Sequence, residues 1–187
     1  MIALGSKSRS KTFWITRTAI YIALLIVLQY ATAPLGNTIA TGSMVNLLLI
    51  VAVMTCGLAS GLSVAAVSPI MAMLLGIGPL IWSLVVFIIA GNITLVLLWH
   101  FIGNRNIGHR QKNYVIALLS AAIAKFLVLY IGIVRLAIPM LLGLPEQQGA
   151  VVSGMFSIPQ LITAIIGGML AIAMLPILQK VDGERRE

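Results

Sequence analysis

The sequence predicts an all-α integral membrane protein with six transmembrane helices and both the N- and C-termini cytoplasmic. Three observations predict it. The first is composition: 60% of the 187 residues are hydrophobic and 9% are charged, against about 25% charged in soluble domains. A chain this short cannot bury that much apolar surface in its own core, so the remainder must face lipid. The second is the succession of six apolar segments separated by polar or Gly/Pro-containing breaks. The third is the placement of Lys and Arg at segment ends. The chain reads as a single six-helix domain, residues 1–187, with 1–12 and 180–187 as cytoplasmic tails.

Each segment has its own boundary signals. The first helix is expected over residues 13–33. Its basic start, apolar core and Ala31-Thr32-Ala33 resemble a signal peptide. Pro34 directly after the would-be cleavage site, and a stretch long enough to span, favour a retained helix. A polar loop over 34–43 follows, then a short second helix over 44–54. Thr55-Cys56-Gly57 is a tight turn into a third helix over 58–75. Gly76-Ile77-Gly78-Pro79 is a break. The fourth helix is expected over 80–102, a polar loop over 103–113, and the fifth helix over 114–142. A loop over 143–149, containing Pro145, leads to a sixth helix over 150–178, with a second starting point near Pro159.

Charge tests this count independently. With a cytoplasmic N-terminus and six spans, ten of the twelve Lys and Arg residues fall inside: Lys7, Arg9, Lys11, Arg17, Arg105, Arg110, Lys112, Lys180, Arg185 and Arg186. None falls in an outside loop. Five or seven spans would spoil this asymmetry. The net charge of +8 therefore reflects topology. Neither a basic stripe with interleaved aromatics nor a Walker motif is present, so the sequence predicts neither nucleic-acid binding nor ATP hydrolysis by this chain.

The other two cations, Lys125 and Arg135, fall within the fifth helix. An intramembrane ammonium is expensive and usually faces a bundle interior or a cavity. Lys125 lies about ten residues from either predicted helix end, a long reach for snorkelling. Arg135 lies about 80° around the helix from it, and reads either as a second cavity residue or as an outer-interface anchor. The four acids, Glu146, Asp182, Glu184 and Glu187, all lie outside the predicted spans. The intramembrane cations thus lack an obvious carboxylate partner, Glu146 near Arg135 excepted, and a bound anionic or strongly polar ligand is one source of acceptors. The absence of intramembrane acids also argues against a self-powered, ion-coupled transporter.

Further polar residues gather toward the predicted outer half: Gln29 and Tyr30 on the first helix, Asn37 and Thr38 in the first loop, Asn46 on the second helix, Gln160 on the sixth, and Asn92 deeper in the fourth. Such convergence suits a small-molecule pocket, and interhelical hydrogen bonding accounts for any one of them equally well. The candidate substrate-binding set is therefore Lys125, Asn92, Asn46, Gln29, Gln160, Arg135 and Asn37. Ala19 and Ala23 form a small-xxx-small pair suited to close helix approach, about 80 to 120° away from Gln29. No catalytic, metal or cofactor constellation assembles. His100 and His109 lie at the cytoplasmic end of the fourth helix, and Cys56 is alone.

The chain resembles the substrate-binding S-components of bacterial energy-coupling factor (ECF) vitamin transporters. The resemblance is carried, in order, by the basic start, Thr18-Ala19-Ile20-Tyr21-Ile22-Ala23-Leu24, the Pro/Gly-containing loop, Gly42-Ser43-Met44-Val45-Asn46 and Gly57-Leu58-Ala59-Ser60-Gly61. It covers nearly the whole chain. It implies a non-enzymatic, multi-pass subunit of the bacterial plasma membrane that binds a vitamin or precursor near the outer face. The implied partners are a membrane coupling subunit, docking on an Ala-xxx-Ala pair that maps to Ala19 and Ala23, and two cytoplasmic ATPases, together forming an ABC transporter. The implied pocket lid maps to residues 34–43. Few aromatics argue against the ring stacking that thiamine or flavin favours. Lys125 and Arg135 favour an anionic ligand such as pantothenate, with cobalamin-related and pyridoxine-like compounds as alternatives. The competing readings are a stand-alone small transporter or channel, and a membrane enzyme.

Overall fold

In a computed structural model the described residues are 4–35, 38–105 and 110–184. They are all helical apart from short connections, with 91% helix and no strand. Helix α1 spans Leu4–Thr32, α2 Thr38–Cys56, α3 Leu58–Leu74 and α4 Trp82–Leu98, which runs on as a wider π turn over Trp99–Gly103. Helix α5 spans Arg110–Leu129 and continues with π hydrogen bonding through Tyr130–Leu142. Helices α6, Glu146–Met155, and α7, Ile158–Glu184, complete the chain.

Five helical stretches are long and apolar enough to cross a membrane: Trp14–Thr32, Thr38–Cys56, Trp82–Gly103, Arg110–Leu142 and Glu146–Lys180. The sixth, α3, has 17 residues and a length of about 25 Å at 1.5 Å per residue, short of the ~30 Å hydrocarbon core. The outward faces are apolar: Val86, Leu119, Ile123 and Ile131 are each about half exposed. A continuous apolar exterior of this kind would aggregate in water and is compatible with a multi-pass membrane protein.

Helix α2 is the central element. Ten of its residues, from Ser43 to Met54, are buried, and it packs against α1, α3, α4 and α7. Its closest partner is α7, where Gly167 is buried against α2. A Cβ there would stand 2.6 Å from the Ser43 carbonyl oxygen and 2.7 Å from the Asn46 Cβ, so only glycine admits this approach of two backbones. The turn from α2 to α3 is made by Gly57 alone, at φ 87°, a conformation that glycine adopts without steric cost. Helix α1 is pinned at its middle by the Thr18 hydroxyl against the Ser60 hydroxyl, and by Tyr21 Oη and Thr55 Oγ1 at 2.9 Å. A smaller core of Leu84, Leu129, Ile133, Ala137 and Phe156 joins α4, α5 and the α6–α7 junction.

Five expected boundaries are corrected. Helix α5 begins at Arg110, four residues before the expected Tyr114. Helix α1 begins at Leu4, not near 13, because hydropathy marks the apolar stretch and not the end of the helix. The loop expected over 34–43 shrinks to a 3₁₀ turn, Ala33–Leu35, and a short connection, since α2 starts at Thr38. Thr, Gly and Ser are weak helix formers, but packing on α7 overrides propensity there. The loop expected over 143–149 ends at Pro145, which caps α6, and Glu146 in the first turn complements the helix dipole. The single sixth helix is two, broken at Phe156 and Ser157, with Pro159 inside the first turn of α7, where proline is tolerated. The Gly76–Pro79 break is non-helical as expected, and α3 runs unbroken through Pro69.

Candidate functional site

The site is built on one buried amine. Along α5, Ala121, Ala122, Lys125 and Leu129 face inward, a spacing that places Lys125 on the packed stripe of the helix. Lys125 is only 3% exposed. Its Nζ donates to Asn46 Oδ1 on α2 at 2.5 Å and to Asn92 Oδ1 on α4 at 2.8 Å. An ammonium is a donor without acceptor capacity, so both amides must turn their oxygens toward it and their nitrogens away. Asn46 Nδ2 accordingly donates to Thr163 Oγ1 on α7 at 3.3 Å, and Asn92 Nδ2 reaches the Ala65 carbonyl on α3 at a long 3.5 Å. The Thr163 hydroxyl donates onward to the Gln160 carbonyl at 3.0 Å. Five helices are thus tied to one side chain.

Lys125, Asn46 and Asn92 form part of the wall of a cavity of about 190 Å³. An apolar cavity of about 150 Å³ is large enough for benzene, so this one has the size of a small ligand. It lies where α1 and α3 end and α2, α4 and α7 begin, with Gln29, Ser68 and Gln160 also in its wall. Arg105, Arg110, Lys112 and Lys180 occupy the opposite end of the bundle.

The polar inventory of the wall is incomplete in a specific way. A lysine ammonium carries three donors, and two are used by the asparagines. Among the described buried side chains, three polar atoms have no protein partner: Gln29 Oε1, Ser43 Oγ and Ser68 Oγ. Gln29 and Ser68 both line the cavity. Leaving a buried acceptor or hydroxyl unpaired costs about 1–3 kcal/mol. Two such groups beside a lysine with a spare donor make a wall that is satisfied by a polar occupant. Among the described residues no group of His, Cys, Asp and Glu could hold a metal ion, and Glu146 is the one carboxylate whose side chain is described.

Five of the seven candidate binding residues meet at this cavity, Lys125, Asn92, Asn46, Gln29 and Gln160, together with Thr38. Arg135 does not line it. Its side chain is exposed, with the guanidinium 5.6 Å from the Tyr130 ring centroid, and Tyr130 stacks on Phe126 one turn back. Asn37 lies outside the described residues. Tyr30 is 68% exposed. Sequence reasoning missed Ser68, Thr163 and Phe156. Ser68 and Thr163 lie within apolar helices, where a serine or threonine carries no signal of direction. Ala19 and Ala23 sit on the exposed face of α1, away from buried Leu25 and Gln29. His100 ends α4, with Nδ1 3.3 Å from Asn104 Nδ2. Comparison with protein-family models, curated proteins and solved structures finds no match for this chain.

Proposed function

We propose that this chain is the membrane-embedded, substrate-binding subunit of a bacterial importer of the energy-coupling factor type, without catalysis of its own. One observation carries the reading. A buried lysine, held by two neutral amides and not by a carboxylate, presents a spare donor to a ligand-sized cavity beside two unpaired polar groups. Unpaired buried polar groups are costly in a bundle, and a polar occupant of the cavity would pair them. The sequence resemblance to S-components supports the same reading.

In this proposal the chain crosses the plasma membrane six times with both termini in the cytoplasm. Lysines and arginines at the end opposite the cavity support that orientation, which turns the cavity toward the outer face. The exposed pair Ala19 and Ala23 offers a smooth strip for a membrane coupling subunit, and two cytoplasmic ATPases supply the energy. The ligand is a small vitamin or precursor. A spare ammonium donor favours an anion, pantothenate-like in its charge, and the cavity size favours pyridoxine-sized molecules over corrinoids such as cobalamin.

Uptake tests the assembly. Cells producing this chain with a coupling subunit and two ATPases should accumulate the radiolabelled ligand, and cells producing the chain alone should not. Accumulation by the chain alone would overturn the proposal in favour of a stand-alone transporter.

A further inference from the structure

The cavity around Lys125 does not stand alone. A second cavity, of about 420 Å³, shares part of its wall: Thr38, the Ile77–Pro79 turn, Phe156 and Gln160. The rest of that second wall is Leu80, Ile81, Leu84, Val152 and Met155. These residues come from the α3–α4 connection, the start of α4 and the second half of α6, with Leu80 and Met155 exposed at the rim. All five are aliphatic or thioether side chains, and they bring no polar group. Both walls are mostly apolar, but among the described residues Lys125 is the one charged side chain in either, it lines only the first, and the second adds no polar side chain beyond those the two share.

From this juxtaposition we infer that the two cavities are the halves of one site for an elongated anion, with its acidic head at Lys125 and its apolar body against Leu80, Leu84, Val152 and Met155. The inference rests on the binding-subunit reading and narrows its substrate class. An anionic head supplies both the acceptor for the third Lys125 donor and the counter-charge that two neutral amides cannot. Ser68 Oγ, unpartnered in the same wall, supplies a second donor. An apolar body gains from leaving water in the second half, whereas a compact polar ligand would leave that half unused. The Ile77–Pro79 turn and Phe156 then mark where the head of the ligand gives way to its body.

The test uses the full chain in lipid nanodiscs and a series of probes: phenylacetate, 4-phenylbutanoate and 6-phenylhexanoate, with 6-phenylhexan-1-ol and 6-phenylhexylamine as head-group controls. Empty nanodiscs correct for partition into lipid. Burial of one methylene is worth ~0.8 kcal/mol, about a fourfold change in affinity. Four added methylenes should therefore tighten binding by about two orders of magnitude from phenylacetate to 6-phenylhexanoate. The alcohol and the amine should bind at least tenfold more weakly than the acid. Met155→Trp, at an exposed position of the second half, should abolish the gain with length in a chain whose size-exclusion profile matches the wild type.

Equal binding of acid and alcohol would refute the anionic head. Equal binding along the acid series, or a Met155→Trp chain that keeps the full gain, would refute the apolar half. If a compact polar vitamin binds through Lys125 while no phenylalkanoate does, the bipartite inference fails and the binding-subunit reading survives. If neither these probes nor any vitamin binds the folded chain, both fail.

Discussion

Replacing Lys125 with Met removes the centre of the polar network while keeping an unbranched side chain one atom shorter. Two opposing effects set the stability of the ligand-free chain. Asn46 Oδ1 and Asn92 Oδ1 each lose a donor, and an unpaired buried acceptor costs about 1–3 kcal/mol. Against that, a cation no longer has to be held in a low-dielectric bundle, an effective penalty of several kcal/mol. The terms oppose, so the variant should fold and its ligand-free stability should move by no more than a few kcal/mol. Ligand affinity has no such compensation. A hydrogen bond to a charged group contributes about 1.5–3 kcal/mol, which corresponds to roughly ten- to hundredfold weaker binding at 1.4 kcal/mol per decade. Isothermal titration of the wild-type and Lys125→Met chains with the same ligand, after matched size-exclusion profiles, measures this directly. A folded variant with unchanged affinity would refute the role given to Lys125.

Three further outcomes follow from other parts of the structure. Gln29→Leu removes an acceptor that has no partner, so the ligand-free melting temperature should rise while ligand affinity falls by about tenfold, one hydrogen bond's worth; a lower melting temperature would mean that Gln29 serves the fold. Gly167→Val forces a side chain into the α2–α7 contact, where even a Cβ meets the Ser43 carbonyl at 2.6 Å. Overpacking of this kind costs about 1–3 kcal/mol or more, read as a lower melting temperature, and an unchanged value would contradict the close approach. Leu at both Ala19 and Ala23 should leave ligand binding by the isolated chain intact and abolish co-purification with the coupling subunit; surviving assembly would remove that face from the interface.

Hydropathy made most of the architecture legible, because helices that face lipid must be apolar over their length and the breaks between them must be polar or carry Gly and Pro. It misplaced the beginnings of α1, α2, α5 and α6 for one reason: it reports the environment of a segment, and helices extend beyond their apolar part. The last helical stretch divides at Phe156 and Ser157, next to the second starting point read near Pro159, although buried Phe156 continues the apolar run. Lys125 announced itself by the cost of a charge at that depth, and Asn46 and Asn92 by being amides within apolar helices. Their mutual contact was not legible, because it depends on how three helices rotate about their axes. Arg135 carried the same signal as Lys125 yet faces outward over Tyr130. The direction of a long side chain near a helix end is set by its neighbours, and no sequence spacing fixes it. Ser68 and the apolar second cavity left no trace at all, being ordinary residues made distinctive only by what they adjoin.

The central claim is that the cavity at Lys125 binds a small molecule in the isolated chain. The measurement that tests it most directly is a thermal shift of the purified chain, without ATP or other subunits, against a panel of water-soluble vitamins and precursors. A ligand that binds only the folded state stabilises it by about 2.7 kcal/mol at a hundred times its dissociation constant. The account predicts a selective upward shift with one compound or one small chemical class, and loss of that shift in Lys125→Met. A folded chain that shifts with none of them, or whose shift survives Lys125→Met undiminished, would contradict it.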